Sequence, residues 1–281
     1  MTRMREAIDE AAATLAAAGI GSPRVDAVDL AAEAAATDRG RVALIDTVTD
    51  DVLERYRELI AARSRRIPVQ HLVGTAAFGP VQVRVGPGVF IPRPETESLL
   101  EWALAQPLGE HPLIVDLCTG SGALALALAR IRPDARVVAV DDSEAALEYA
   151  AQNLAGTAVE LVHADVTVPG LLPDLSGRVD LIVANPPYIP DGAVLEPEVA
   201  DHDPAHALFG GPDGMAVIRP IIDLAARLLR PGGRCGIEHD DTTSAQTVAA
   251  FTDHGGFTDA MARRDLAGRP RFVTATRRPT T

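Results

Sequence analysis

The sequence predicts a doubly wound, mostly parallel α/β sheet of seven strands, preceded by a small helical bundle and joined to it by a β-hairpin. Three observations predict it. From residue 112 onward, short apolar runs alternate with alanine-rich amphipathic segments, the βα alternation that builds a parallel sheet covered by helices. The first of those runs leads into Cys118-Thr119-Gly120-Ser121-Gly122 and then an Ala/Leu-rich helix; a strand, a glycine turn and a helix N-terminus form a nucleotide-type cradle. Before residue 67 the apolar residues follow helical spacing alone.

Taken in order, residues 4 to 18 form a helix ending at Gly19, a C-cap residue. Ser22-Pro23 supplies an N-cap and a first-turn proline for a second helix to about Thr37. Thr49-Asp50-Asp51 starts a third with an acidic first turn, running to about Arg65. Residues 1–66 are thus a helical bundle, and Arg63, Arg65 and Arg66 read as its solvated end. In the linker, 67–92, His71-Leu72-Val73-Gly74 and Val81-Gln82-Val83-Arg84-Val85 read as the two arms of a hairpin. The prolines of Ile91-Pro92-Arg93-Pro94-Glu95 stiffen the entry to a helix, with Phe90 and Arg93 placed to reach a neighbouring site.

The domain from 93 to 281 holds strands at Pro112–Leu117, Arg136–Val140, Val159–His163, Val179–Ala184 and Arg234–Glu238. Two late strands, near Phe257–Met261 and Arg271–Thr276, suggest a closing antiparallel hairpin. A ligand belongs over the carboxyl ends of the parallel strands, where Gly120, Gly122, Asp141, Asp165 and Asn185 all fall. Asp141, after the second strand, suits the two hydroxyls of a ribose. Asp201-His202-Asp203-Pro204-Ala205-His206 superficially resembles a metal cluster, but no helix or strand sets a ligand face there. It reads as a lid or substrate loop, with no metal expected.

Composition narrows the class. The chain has 281 residues and a formal net charge of −13, and all of its basic residues apart from histidine are arginine. Such acidity opposes binding to nucleic acid through its phosphates. No apolar run approaches the roughly 20 residues of a membrane span, and the N-terminus lacks the pattern of a secretory signal. Two isolated cysteines, Cys118 and Cys235, fit a reduced cytoplasmic setting. With no coiled-coil seam, a monomer is expected.

Chemistry concentrates at Asn185-Pro186-Pro187-Tyr188, which follows the fourth strand. Successive prolines fix their own φ and push the preceding residues into extended geometry. The Asn185 side chain and the Pro186 carbonyl are then stiffly held acceptors, and Tyr188 adds a flat face. That set suits a planar group bearing –NH2. A rigid turn after a strand is the plainer reading of the same four residues. Gly120-x-Gly122-x-x-Ala125 passes loosely for a dinucleotide fingerprint, but hydride transfer explains neither Asp116 nor the tetrapeptide.

Asp116-x-Cys118-x-Gly120-x-Gly122 with Asp141 resembles the cofactor motifs of class I S-adenosylmethionine-dependent methyltransferases, and Asn185 to Tyr188 resembles those acting on planar amino groups. Pro68 to Gly74, Phe90 to Glu97, Ala184 to Ile189 and Asp265-x-x-Gly268-x-x-Arg271-Phe272 look, in order and spacing, like the release factor glutamine methyltransferase family. The resemblance covers nearly the whole chain. It implies a protein-glutamine N-methyltransferase that uses S-adenosylmethionine and modifies the side-chain amide nitrogen in the Gly-Gly-Gln motif of peptide chain release factors. It also implies that the helical bundle takes part in recognising them. The implied cofactor positions are Cys118, Thr119, Gly120, Ser121, Gly122, Asp141, Val166 and Asn185. The implied substrate positions are Asn185, Pro186, Pro187 and Tyr188, with Asn185, Pro186 and Tyr188 catalytic. A glutamine on a ribosomal protein, a base amine in nucleic acid, or a non-catalytic adaptor role are the alternatives. Cys118 stands where the family has a glycine, so its backbone is expected to suit a residue with a Cβ. Val166 stands where relatives carry larger side chains.

Overall fold

A computed structural model describes residues 2–279. The chain divides into two compact units. One comprises the residues up to Thr75 together with Leu195–His202; the other comprises Ala76–Val194 and the residues from Asp203 onward.

In the first unit a two-residue strand β1 (Thr2–Arg3) pairs with β2 (Thr47–Val48) beside helices α1 (Met4–Ala17), α2 (Pro23–Ala34), α3 (Asp50–Ser64) and α4 (Val69–Val73). Met4, Ala7, Ile8, Ala11 and Leu15 form the buried stripe of α1, a 3.6-residue period written in small and medium side chains. Ser22 occupies the N-cap position of α2, but its hydroxyl donates to Asp26 Oδ1 at 2.7 Å and caps no backbone N–H.

The arginines at the end of α3 depart from the sequence reading. Arg63 is only 4% exposed. Its Nε donates to Asp26 Oδ2 at 2.7 Å, Nη1 to the Ile67 carbonyl at 3.2 Å, and Nη2 to Glu198 at 3.0 Å. Glu198 lies on α8 (Pro197–His202), and Arg66 reaches the same carboxylate at 3.3 Å. Only Arg65 is exposed. Charge run and periodicity are local signals; the buried partner Asp26 lies 37 residues away.

The linker also differs. His71, Leu72 and Val73 lie in α4, which ends at Gly74 in left-handed geometry. The hairpin is β3 (Thr75–Phe78) with β4 (Val81–Arg84). An apolar run this short reads equally as strand or helix, and the glycine that bounds it is a helix cap.

The second unit carries the predicted seven-stranded sheet. Its strands are β5 (Leu113–Leu117), β6 (Arg136–Asp141), β7 (Glu160–His163), β8 (Val179–Ala184), β9 (Leu229–Glu238), β10 (Phe257–Arg264) and β11 (Pro270–Arg277). They lie in the order β10-β11-β9-β8-β5-β6-β7, with the five from β9 to β7 parallel and β11 antiparallel to both of its neighbours, β9 and β10. β5, β6 and β8 are buried almost throughout, as expected of strands covered on both faces. Helices α5 (Glu97–Leu104), α6 (Ala123–Ile131), α7 (Glu144–Asn153), α9 (Ile218–Leu228) and α10 (Ser244–His254) surround the sheet. One core cluster gathers Leu99, Leu124, Leu128 and Leu181; another gathers Val115, Ile182, Ile221, Leu228 and Phe251. β9 begins earlier than predicted, at Leu229, because a bulge carries it from the Val179–Leu229 pair to the Leu181–Arg234 pair.

Chain order reverses at β5, whose neighbours are β6 and β8. That is the switch point where open α/β sheets bind ligands. Leu117 pairs with Val140 on one side and Ala184 on the other, and Ala184 pairs with Ile237. Cys118, Asp141, Asn185 and Glu238 therefore emerge at one edge of the sheet.

Replacing Arg63 by alanine leaves Asp26 buried without its cation. This is expected to destabilise the helical unit by about 3–5 kcal/mol, read as a lowered denaturation midpoint, whereas Arg65→Ala leaves the midpoint within error.

Candidate active site

The loop after β5 is built by hydrogen bonds that converge on two buried carboxylates. Asp116 Oδ2 accepts the Thr119 hydroxyl at 2.6 Å, and the Ala125 N–H also donates to this carboxylate. Asp141 Oδ2 accepts the Gly120 N–H at 2.8 Å while Oδ1 accepts the Ser143 N–H at 3.0 Å. The Thr119 N–H donates to the Val140 carbonyl at 3.0 Å, and the Gly122 N–H to the Thr119 carbonyl at 2.9 Å. Burial pushes the Asp116 carboxyl up to about 7 and raises that of Asp141, the hydrogen bonds opposing it.

Cys118 does not have the ordinary backbone expected of a residue with a Cβ. Its φ is +60°, the left-handed region disfavoured by roughly 1–2 kcal/mol for L-residues. The neighbouring hydrogen bonds hold it there. Gly120 also has positive φ, and a Cβ added to it would meet no protein atom within 4 Å. The space over this turn is open, as a ligand cradle requires.

Asn153 is a brace that the sequence reading missed. From α7 its Nδ2 donates to the Ser121 carbonyl at 2.8 Å and the Arg84 carbonyl at 3.0 Å, and its Oδ1 accepts the Arg84 N–H at 2.7 Å. One side chain ties the glycine loop to β4. Val166 is buried beside the second core cluster. Asp165 accepts the Thr167 N–H and hydroxyl at 2.8 and 2.7 Å, shaping its own turn.

Asn185 is half-buried and Pro186 buried, with Pro187 and Tyr188 half-buried. Asn185 Nδ2 donates to Thr96 Oγ1 at 3.2 Å. In a planar amide that directs Oδ1 away from Thr96, leaving an acceptor for another group. Tyr188 packs against the second core cluster and its hydroxyl is hydrogen-bonded to Arg271. Burial and the Glu238 charge raise the phenol well above its ordinary value. Arg271 in turn pairs with Asp265 at 3.2 Å and Asp241 at 3.4 Å.

A returning segment clamps the far side of the tetrapeptide. The Ile189 N–H donates to the Leu208 carbonyl and the Gly210 N–H to the Ile189 carbonyl, both at 2.9 Å. A Cβ at Gly210 would lie 2.6 Å from the Pro187 carbonyl oxygen, so only glycine permits this approach. Asp203, part of the metal-like run, is buried, accepts the Ile91 N–H at 3.3 Å and pairs with Arg93. Arg93 also lies over the Phe90 ring, 5.0 Å from its centroid. The reach toward a site expected of Phe90 and Arg93 is spent on this internal contact. Among the described residues no group of three or more His, Cys, Asp or Glu side chains is arranged to hold a metal.

Comparison with known proteins bears on the family of the chain. Residues 6–74 match the PrmC N-terminal domain model and residues 84–202 the methyltransferase small domain model. A release factor glutamine methyltransferase from Mycolicibacterium smegmatis is 69% identical over 277 residues, covering 99% of each chain. One from Mycobacterium tuberculosis is 62% identical over 278 residues, covering 98% of this chain and 91% of that one. Among solved structures, a methyltransferase from Pyrococcus furiosus superposes with a TM-score of 0.54 at 19% identity, covering 78% of this chain and 100% of that one. This last likeness speaks for the fold alone.

Two outcomes are expected from this geometry. Cys118→Gly relieves the left-handed strain and raises the melting midpoint by about 1–3 °C, whereas Cys118→Val lowers it. Burial pushes the Glu238 carboxyl up to about 8. The native state then holds a proton that the unfolded chain has released, so stability falls as pH rises from about 4.5 to about 8. Melting curves across that range should show the fall, and Glu238→Gln should flatten it.

Proposed function

This chain belongs to the release factor glutamine methyltransferase family, and from that premise we propose that it methylates the side-chain amide nitrogen of the glutamine in the Gly-Gly-Gln motif of peptide chain release factors. Membership rests on relatives of 69% and 62% identity along nearly the whole chain. The observation that carries the residue-level reading is the orientation of Asn185, whose amide nitrogen is committed to Thr96 and whose oxygen is thereby an acceptor.

S-adenosylmethionine fits the cradle after β5. The open space over Gly120 admits a ligand against backbone, and each Asp141 oxygen, having accepted one N–H, retains capacity for one ribose hydroxyl. Cys118 to Gly122, Asp141, Val166 and Asn185 would line that site. When bound, the cofactor supplies an electrophilic methyl group on a sulfonium sulfur.

An amide nitrogen is a poor nucleophile because its lone pair is delocalised into the carbonyl. In our reading Asn185 Oδ1 and the Pro186 carbonyl each accept one N–H of the substrate amide. The nitrogen gains positive charge as it attacks, so both acceptors bind the transition state more tightly than the ground state. The prolines make this grip stiff, and Gly210 behind Pro187 keeps it from retreating. Tyr188 covers the amide plane and excludes water. The methylated nitrogen is acidic and gives up its extra proton to solvent as the product leaves, so geometry matters more than a strong base. The helical unit, matched by the N-terminal family model, offers the release factor a second surface.

Asn185→Ala is expected to cost about 3 kcal/mol in kcat/KM, roughly a hundredfold, with cofactor affinity changed far less. Labelled methyl transfer to an intact release factor, lost when the Gly-Gly-Gln glutamine is replaced, supports the assignment. Label appearing only in ribosomal protein or nucleic acid overturns it, as does near-normal turnover of Asn185→Ala.

A further inference from the structure

We propose that Thr96 is a positioning residue for methyl transfer, a hydroxyl relay that fixes Asn185 with its oxygen facing the substrate. This deepens the reading of Asn185 given above and rests on it.

Thr96 sits between two polar side chains. Glu238, the last residue of β9, is 1% exposed and lies beside the Thr96 side chain. On its other side Thr96 Oγ1 accepts the Asn185 Nδ2–H at 3.2 Å, which holds the amide with Oδ1 turned away from Thr96. Turning the amide over gives up that hydrogen bond.

The elements around Thr96 give it little freedom to do otherwise. It closes a single 3-10 turn, Pro94–Thr96, with its N–H on the Arg93 carbonyl at 3.1 Å. Arg93 and Ile91 are both fastened to the buried Asp203. Thr96 is 5% exposed, and its branched Cβ restricts the side-chain rotamer. On the other side, sheet register fixes Glu238: Ala184 pairs with Ile237, so Asn185 and Glu238 follow side by side. The His239 N–H on the Arg271 carbonyl at 3.1 Å holds that strand end, and Arg271 also carries the Tyr188 hydroxyl. The same small cluster thus aims the first residue of the tetrapeptide and anchors the last.

Cost points the same way. Glu238 Oε1 is buried with no hydrogen-bond partner, an arrangement that stability alone does not favour.

The test compares Thr96→Val, Thr96→Ser, Asn185→Ala and the Thr96→Val/Asn185→Ala double variant, using release factor and labelled S-adenosylmethionine. Thr96→Val keeps the shape and removes the hydroxyl. It should lower kcat about 10- to 100-fold, with the dissociation constant of S-adenosylmethionine within about twofold of the parent. Thr96→Ser should restore most of kcat. In the Asn185→Ala background, Thr96→Val should change kcat less than about threefold, since no amide remains to be aimed. Melting midpoints report folding separately. Parental kcat in folded Thr96→Val overturns the relay, as does an undiminished effect in the double variant. Failure of the parent protein to label the release factor at all would instead overturn the functional reading on which the relay rests.

Discussion

The register between β5 and β8 is the constraint on which this site depends. Leu117 lies opposite Ala184, so the turn after β5 and the tetrapeptide after β8 begin at the same height on adjacent strands. Parallel strands cannot be joined by a tight hairpin, so the two segments arrive through separate βα units and meet only because the sheet aligns them. A one-residue slip would reverse every side chain of β8 between the two faces. Five apolar or small residues of that strand are buried, which makes such a slip costly. The hydrophobic core thereby sets the distance between the loop and the tetrapeptide.

Around that edge the protein accumulates buried acid. Asp116, Asp141, Asp203 and Glu238 are each buried, and the carboxyls of Asp116, Asp141 and Glu238 are raised by loss of solvent. Two arginines balance part of this charge, Arg93 at Asp203 and Arg271 beside Glu238. The rest is met by N–H groups and hydroxyls, which turn each carboxylate into a brace: Asp116 for the loop, Asp141 for the loop and the start of α7. Cys118 in left-handed backbone adds strain to the same turn. Local rules of stability are broken most where ligand geometry is most constrained.

The sequence made legible what is local. Strand, glycine turn and helix follow within a dozen residues, so the βα units, the seven strands and the closing hairpin were readable from spacing. The tetrapeptide was readable because proline stiffness is a property of adjacent residues. What escaped was long-range. Asn185 and Thr96 are 89 positions apart, Asn153 and Arg84 are 69 apart, and Arg63 and Glu198 are 135 apart. No periodicity encodes such pairs. Thr96 was visible only as one polar residue in a proline-rich entry to a helix. Two local readings also failed. The 71–74 run reads as strand although its glycine caps a helix, and Cys118 reads as ordinary backbone although hydrogen bonds from both sides dictate otherwise.

The excursion from Ile189 to Gly214 shows how a long loop can leave a stiff site undisturbed. Its middle, Leu195–His202, belongs to the helical unit, where Glu198 accepts from Arg63 and Arg66. Its base is closed by three backbone hydrogen bonds, Ile189 with Leu208, Gly210 with Ile189, and Asp191 with Gly211 at 3.0 Å. Closing the base also shortens the free segment, which lowers the entropy lost in ordering it. Gly210 completes the closure, because a larger residue would hold the returning strand away from the Pro187 carbonyl. The tetrapeptide is therefore held both by its two prolines and by the close approach of a glycine more than twenty residues later.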